Sequence, residues 1–241
     1  MVVRQRLPRG PRLVGEGVDR VQPGALRDRA FLRVTDFLVP EAAEALCHEL
    51  ETHLEYERVE YGELTRLWRG ARPVGDPYFG PLLRKPAAAT NDLAYEALTV
   101  FESPWFIEWL SAVTDTEVCF LRPPTAYRLE AGDRICLHDD MTNPVHAFSV
   151  AYNLTPGWRQ GQGGETRVGR VVRKRPAPTP PDCPIDLHYW EVRPDAEILT
   201  PIFNSILLIK LSTEYAHSVE PVSGAPRHSI TTIYGRSAFP D

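Results

Sequence analysis

The sequence predicts an α+β protein, a helical first half followed by an antiparallel β barrel or sandwich. Two observations carry this prediction. Up to Val113 the apolar residues recur at helical spacing. From Val118 onward, short runs rich in β-branched and aromatic residues follow one another, broken by Gly and Pro. Helices first and strands afterwards indicate segregated layers rather than alternating βαβ units. At 241 residues with no internal repeat, one good-sized domain is expected.

Residues 1–28 are Arg-, Pro- and Gly-rich in their first part, without a continuous apolar run, and read as an N-terminal arm rather than a secretory signal. The domain then spans 29–241, with helical support over 36–115 and the β core over 117–236. Pro40 suits a first helical turn, Glu41 and Glu44 favour the positive end of the dipole, and Ala42, Leu46, Leu50 and Leu54 form one stripe. This predicts a helix from Pro40 to about Tyr56. The stretch Tyr61–Ala89 reads as loop. Asn91 opens a second helix with Leu93, Ala97 and Phe101 on one face. Ser103-Pro104 caps a third carrying Phe106, Leu110 and Val113. Strands are expected at Val118–Leu121, Tyr127–Leu129, Arg134–His138, Ala147–Leu154, Thr166–Val172, Leu187–Val192, Ile198–Phe203, Ile206–Leu211 and Ile230–Tyr234. Arg173–Pro184 reads as a Pro-rich loop, since Pro cannot sit in a central strand.

A net charge of −5 argues against a nucleic-acid binder. No apolar run approaches the roughly 18 residues that span a bilayer. Cys47, Cys119, Cys136 and Cys183 form no CxxC pair, so neither a zinc site nor a disulfide framework is suggested, and a cytoplasmic setting fits best.

The chemistry concentrates in Tyr127–Asp140. In a strand, residues i and i+2 share a face. His138 and Asp140 therefore project together and Asp139 points away. His217 follows much later in Tyr-Ala-His-Ser-Val. Two His and one carboxylate are the facial donor set of non-haem Fe(II) oxygenases, which leaves three positions open. His-x-Asp alone is weak, because surface polar residues at a strand end produce it by chance. Arg227 changes the odds: it lies ten residues beyond His217, with Ser229 at i+2 on the same face. A guanidinium fork with a neighbouring hydroxyl is what a carboxylate such as the distal one of 2-oxoglutarate requires.

On these residues the chain resembles the prolyl 4-hydroxylase-like branch of the Fe(II)/2-oxoglutarate oxygenases. The matching elements are Tyr127, Gly132-Asp133, His138-x-Asp140, Tyr152-Asn-Leu154, Trp158, Gly163-Gly164-Glu165, Pro201-x-Phe-Asn204, His217 and Arg227-x-Ser229. The resemblance implies a double-stranded β-helix (jelly-roll, cupin-like) core flanked by the N-terminal helices. It also implies Fe(II) held by His138, Asp140 and His217, and 2-oxoglutarate anchored by Arg227 with Tyr127 and Ser229. O₂ is the other co-substrate, with succinate and CO₂ as co-products. Asn153 departs from the pattern, standing where the hypoxia-sensing hydroxylases place a co-substrate-contacting Tyr. Related halogenases lack the metal carboxylate, so Asp140 favours oxygen insertion.

The remaining candidates are weaker. Asp139 reads first as a structural hydrogen-bonding residue, with a contact to substrate or to the metal ligands as the alternative. His48, His53, His146, His188 and His228 read as partly exposed residues without function. Arg170, Arg173, Lys174 and Arg175 read as a solvated basic loop, and Asn143 as a substrate contact. Trp105 and Trp158 read as core residues before substrate platforms, though Tyr61, Trp68, Trp105 and Trp158 are available to line a substrate pocket, with Arg173–Pro184 as its lid. The leading reading is a hydroxylase of a small molecule, an amino acid or amino-acid-derived natural product, free or carrier-tethered. The second is a prolyl hydroxylase acting on a protein, which the His-Asp-Asp motif and the Trp158 and Gly163-Gly164 spacing resemble. The third is a non-enzymatic cupin-like binder, which has no need of Arg227. Substrate identity and oligomeric state are not encoded legibly.

Overall fold

The computed structural model describes residues 11–62, 64–70, 92–181, 183 and 186–237. Two antiparallel sheets face each other, and helices cover the outer side of the larger one. In chain order the elements are β1 (Phe31–Val34), α1 (Pro40–Thr52), β2 (Tyr56–Tyr61), β3 (Thr65–Gly70), α2 (Asp92–Thr99), α3 (Pro104–Thr114), β4 (Val118–Leu129) and β5 (Ile135–His138). There follow β6 (His146–Asn153), β7 (Thr166–Pro176), β8 (His188–Val192), β9 (Glu197–Leu199), β10 (Ser205–Lys210), β11 (Tyr215–Val219) and β12 (Arg227–Arg236). The large sheet runs β1-β10-β6-β12-β4-β3-β2, and the small one β5-β11-β7-β8 with β9 also on β7. Facing sheets joined by crossing connections are the double-stranded β-helix arrangement.

The predicted helix stripe is buried: Ala42, Leu46 and Leu50 are inaccessible to solvent. Phe37, Phe101, Phe106, Tyr152 and Tyr234 pack ring to ring at centroid separations of 5.4–5.8 Å, joining α3 and the α2–α3 connection to the outer face of the large sheet. Such pairs add about 0.5–1.5 kcal/mol each beyond their area. Ser103 caps α3 as expected, its Oγ accepting from Phe106 N. Residues 11–28 drape over this layer. Leu13, Val18 and Leu26 are buried in the main core, and the Gly24 and Leu26 amides bond to the last turn of α3.

Several sequence expectations need correction. The first helix stops at Thr52, and Tyr56 instead opens a hairpin, β2–β3, within a segment expected to be loop from Tyr61. Its strands are rich in Glu and Arg because they form the sheet edge, where charge discourages further pairing. The rest of that segment, 71–89, lies outside the described residues. β4 is one strand where two were expected, since bulges carry it through Pro123-Pro124. β7 continues to Pro176, taking in residues assigned to the Pro-rich loop, because its outer part pairs with the sheet's edge strand β8. The strand expected over Ile198–Phe203 shortens to Glu197–Leu199. β1 and β11 were not anticipated. β11 is short and polar, and only pairing on both sides, to β5 and β7, holds it as a strand.

Asn204 fastens the helical layer to the sheets. It sits at φ 55° between β9 and β10, a left-handed position that Asn tolerates. Its Oδ1 accepts from Leu38 N (3.0 Å) and Tyr152 Oη (2.8 Å), and its Nδ2 donates to Leu38 O (2.8 Å). Asn204→Ala should therefore lower unfolding stability by about 2–4 kcal/mol, since buried partners lose their bonds. Denaturant titration should show a lower midpoint at unchanged slope.

Candidate active site

The site lies between the inner faces of the two sheets. On the large sheet, register alone assembles a polar row: Arg69 stands opposite Tyr127, Tyr127 opposite Ser229, Ser229 opposite Asn153, and Asn153 opposite Ser205. Directly opposed residues share a face, so these side chains all point into the barrel. An apolar floor of Val168, Leu207, Ile209, Leu211 and Ile233 lies beside them.

On the small sheet, β11 brings His217 into register with His138 on β5. The two rings lie 4.2 Å apart between centroids. His138 Nε2 is 3.5 Å from Asp140 Oδ1, and His217 Nε2 is 3.4 Å from Asp140 Oδ2. One ligand atom from each of the three lies within 4.8 Å of the others. The convergence predicted from i, i+2 spacing is present, but for a different reason. β5 ends at His138, and Asp140 reaches the pair from a left-handed turn at φ 54°.

Local bonds fix this geometry. His138 Nδ1 lies 2.7 Å from Cys136 O. A carbonyl only accepts, so the ring proton belongs on Nδ1 and Nε2 keeps its lone pair for a metal. His138 is held below its ordinary pKa by burial and by His217, against the opposing pull of Asp140. Burial would raise the Asp140 carboxyl, but the two imidazoles and the Arg122 charge more than offset it, leaving it well below the carboxylate range. His146, expected to be a partly exposed bystander, is buried, and its Nδ1 donates to Asp140 O (2.8 Å). It closes the turn that aims Asp140, a role that spacing alone did not signal. Asp139 is structural as expected, accepting from Met141 N (3.1 Å) and pairing with Lys174 (3.6 Å).

Arg227 is 3% exposed on the inner face of β12. One Nη2 donates to Asn153 Oδ1 (3.0 Å), while Nε has no partner among the described residues. Burial pushes the guanidinium down to about 10, against the pull of Glu165. Asn153 thus holds the arginine through its amide oxygen. The glycine pair explains itself here. A Cβ on Gly163 would lie 1.9 Å from Pro221 O, and one on Gly164 would lie 3.0 Å from Arg227 Cδ.

Other candidates fall elsewhere. Trp105 stacks on Trp109 in the helical layer, and Trp68 stands between Arg58 and Arg128 on the outer face. Trp158 donates to Gly163 O, and Asn143 closes its own turn onto Val145. Of the proposed aromatic lining, Tyr61 lies near Tyr127, whose hydroxyl is raised by burial first, then by Asp140, with Tyr61 a lesser contributor. His228 is buried beside Glu51 rather than exposed; His48 and His53 are exposed, and His188 is partly exposed on β8.

Asp133 anchors the strand that ends at His138. Arg58 bonds both its oxygens at 2.8 Å, Arg66 lies at 3.3 Å, and Glu130 N donates at 3.0 Å. Burial raises this carboxyl, but those bonds and charges outweigh it and hold it below its ordinary value of 3.8. A depressed folded pKa gives stability that is present above the unfolded value and lost as pH falls through the folded one. Asp133→Asn should cost about 1–2 kcal/mol near neutrality, a modest figure because its arginine partners are partly in water. The gap to the wild type should close in acid, as thermal melts across pH will show.

Residues 124–235 match the family model described as "2OG-Fe(II) oxygenase superfamily". No functionally curated protein matches the chain in sequence. Among solved structures it is similar to a 2OG-Fe(II) oxygenase family oxidoreductase from Burkholderia pseudomallei, with TM-score 0.59 and 18% identity over 88% of this chain and 87% of that one. A Trichoplax adhaerens prolyl hydroxylase, solved with a hypoxia inducible factor peptide, gives TM-score 0.59 and 16% identity over 88% and 86%. The alpha-ketoglutarate-dependent epimerase SnoN of nogalamycin biosynthesis gives 0.53 and 13% over 88% and 80%. At such identities these likenesses establish the fold.

Proposed function

We propose that this chain, whose residues 124–235 belong to the 2OG-Fe(II) oxygenase superfamily, hydroxylates an unactivated C–H bond of a small molecule. The substrate class is an amino acid or amino-acid-derived natural product, free or carrier-bound. The family uses Fe(II), 2-oxoglutarate and O₂. The observation that carries the reading is the pairing, inside one barrel, of a two-His, one-carboxylate cluster with a buried arginine that forms no ion pair among the described residues and whose Nε is unpartnered.

The residues fit the cofactor. His138 and His217 offer imidazole nitrogens and Asp140 a carboxylate, the borderline and hard donors that suit Fe(II). Arg227, with the Ser229 hydroxyl and Tyr127 beside it in the row, would take the distal carboxylate of 2-oxoglutarate, and Asn153 keeps the guanidinium aimed. When bound, iron and 2-oxoglutarate supply the oxidising power for C–H hydroxylation, with succinate and CO₂ released. The depressed Asp140 stays anionic and His138 stays neutral at working pH, so both are ready to ligate without losing a proton.

We read the packing of the β7–β8 connection against the β2–β3 turn as favouring a small substrate. The connection between β7 and β8 reaches the β2–β3 turn, where a Cβ on Gly62 would lie 3.2 Å from Leu187 Cδ1 and 3.9 Å from Pro178 O. Lys174 ties the same hairpin to Asp139, next to the cluster. SnoN, an epimerase of nogalamycin biosynthesis, is in keeping with a small substrate. The Trichoplax hydroxylase bound to a peptide favours the second reading, a prolyl hydroxylase of a protein. A reducing, cytoplasmic setting suits the four free cysteines.

His217→Ala should abolish stoichiometric Fe(II) binding and substrate oxidation; retained activity would remove the assignment. Arg227→Ala should weaken 2-oxoglutarate at least tenfold with iron binding intact, since losing one side of a buried charge pair costs roughly 2–5 kcal/mol. An unchanged co-substrate titration would place the diacid elsewhere. For the substrate, succinate formation should be stimulated by a member of a panel of amino acids and carrier-bound amino acids. Stimulation confined to Pro-containing peptides or a folded protein would put the second reading first.

A further inference from the structure

We propose that Arg122 is the anchor for a carboxylate of the oxidised substrate, so that the enzyme acts on a free acid. This deepens the proposed function and rests on it. Between Thr125 and Arg122, β4 spends three steps while β12 spends two, because Thr125 opposes Thr231 and Arg122 opposes Ile233. The extra residue falls at Pro123-Pro124, which have no N–H to give to the ladder. Thr232 Oγ1 donates to Arg122 O and fixes the bulge.

One extra residue reverses the alternation of every side chain beyond it. Without the bulge Arg122 would share a face with Ala126, which is buried in the core under the helices. With it, Arg122 shares a face with Ile233, which packs in the barrel floor with Met141, the residue after Asp140. A second register shift, between Ile233 and Tyr234, restores Phe120 to the helical side opposite Tyr234. Two irregularities therefore turn this one arginine inward at the mouth, where it is exposed.

Its surroundings leave it available. Among the described residues no hydrogen bond or ion pair engages the Arg122 guanidinium, although its charge is felt at both Asp140 and Tyr127. The other inward cation of the row, Arg69, is taken by Glu57, which accepts from its Nε at 2.9 Å. Arg227 belongs to the co-substrate on the reading above. Among the described residues Arg122 remains as a cation near the cluster that no ion pair engages, and a guanidinium fork matches a carboxylate. A carrier-bound thioester and an internal peptide residue both lack that group at the backbone, so the anchor selects a free acid over either.

The test uses the Fe(II)- and 2-oxoglutarate-loaded protein under argon, where binding is read without turnover. Amino acids and short carboxylic acids, each beside its primary amide, are titrated by calorimetry and thermal shift. At least one acid should bind at least tenfold more tightly than its amide. Arg122→Gln should remove that preference, Arg122→Lys should recover part of it, and 2-oxoglutarate affinity should stay unchanged in both. Equal binding of acid and amide, an acid preference that survives in Arg122→Gln, or no acid-selective binding across the panel would each overturn the proposal. A wild type that fails to bind 2-oxoglutarate before any panel member is added would instead overturn the function on which it rests.

Discussion

Burying Arg227 to 3% exposure takes a full positive charge out of water, at a cost of about several kcal/mol unless other groups compensate. The protein meets that cost only in part. Asn153 supplies one neutral acceptor, Glu165 acts at a distance, and the guanidinium is left with a lowered proton affinity and an unpartnered Nε. On the proposed reading, a diacid would provide the anion that the fold withholds. The inner face of the large sheet is organised accordingly. Gly164 leaves room for the arginine stem, Gly163 lets its own chain pass against Pro221, and the cross-strand row from Arg69 to Ser205 keeps the neighbouring surface polar.

The same sheet does opposite work on its two faces. Outward-facing Tyr152 and Tyr234 join the aromatic cluster under the helices, while inward-facing Asn153 and Ser229 line the barrel. Strand alternation makes this division available at every second residue. Where the division needed an exception, the chain inserted bulges rather than altering the register of the whole sheet. β4 uses them to turn Arg122 inward between two outward-packed stretches.

Across the gap, the small sheet supplies a carboxylate and two imidazoles with little covalent connection between them. His138 and His217 are neighbours only because β5 and β11 pair. Asp133, clasped by Arg58 and Arg66 from the β2–β3 hairpin, ties the start of β5 to the opposite sheet. The edge hairpin is thus part of what keeps the two halves of the site at working distance.

Much of this was legible from residue order alone. The β core beyond Val118 followed from a change of apolar period there, although β1, β2 and β3 of the large sheet come from the half that reads as helical. His138, Asp140, His217 and Arg227 followed from their chemistry and spacing, and the three-residue cluster assembles as expected. These were readable because period, caps and donor types are local properties of the chain. What the sequence could not reveal depended on pairing between distant segments. β11 and the β2–β3 hairpin are polar strands that exist through their partners. Pro123-Pro124 read as a break and became a bulge only because β12 holds both sides of it. Arg173–Pro176 read as loop and became strand because β8 lies alongside. His146 looked idle until the turn at Asp140 brought a carbonyl within reach of its ring. Composition fixed which groups were available for chemistry; the register between strands decided which of them face the barrel, because a shift of one residue sends a side chain to the other face.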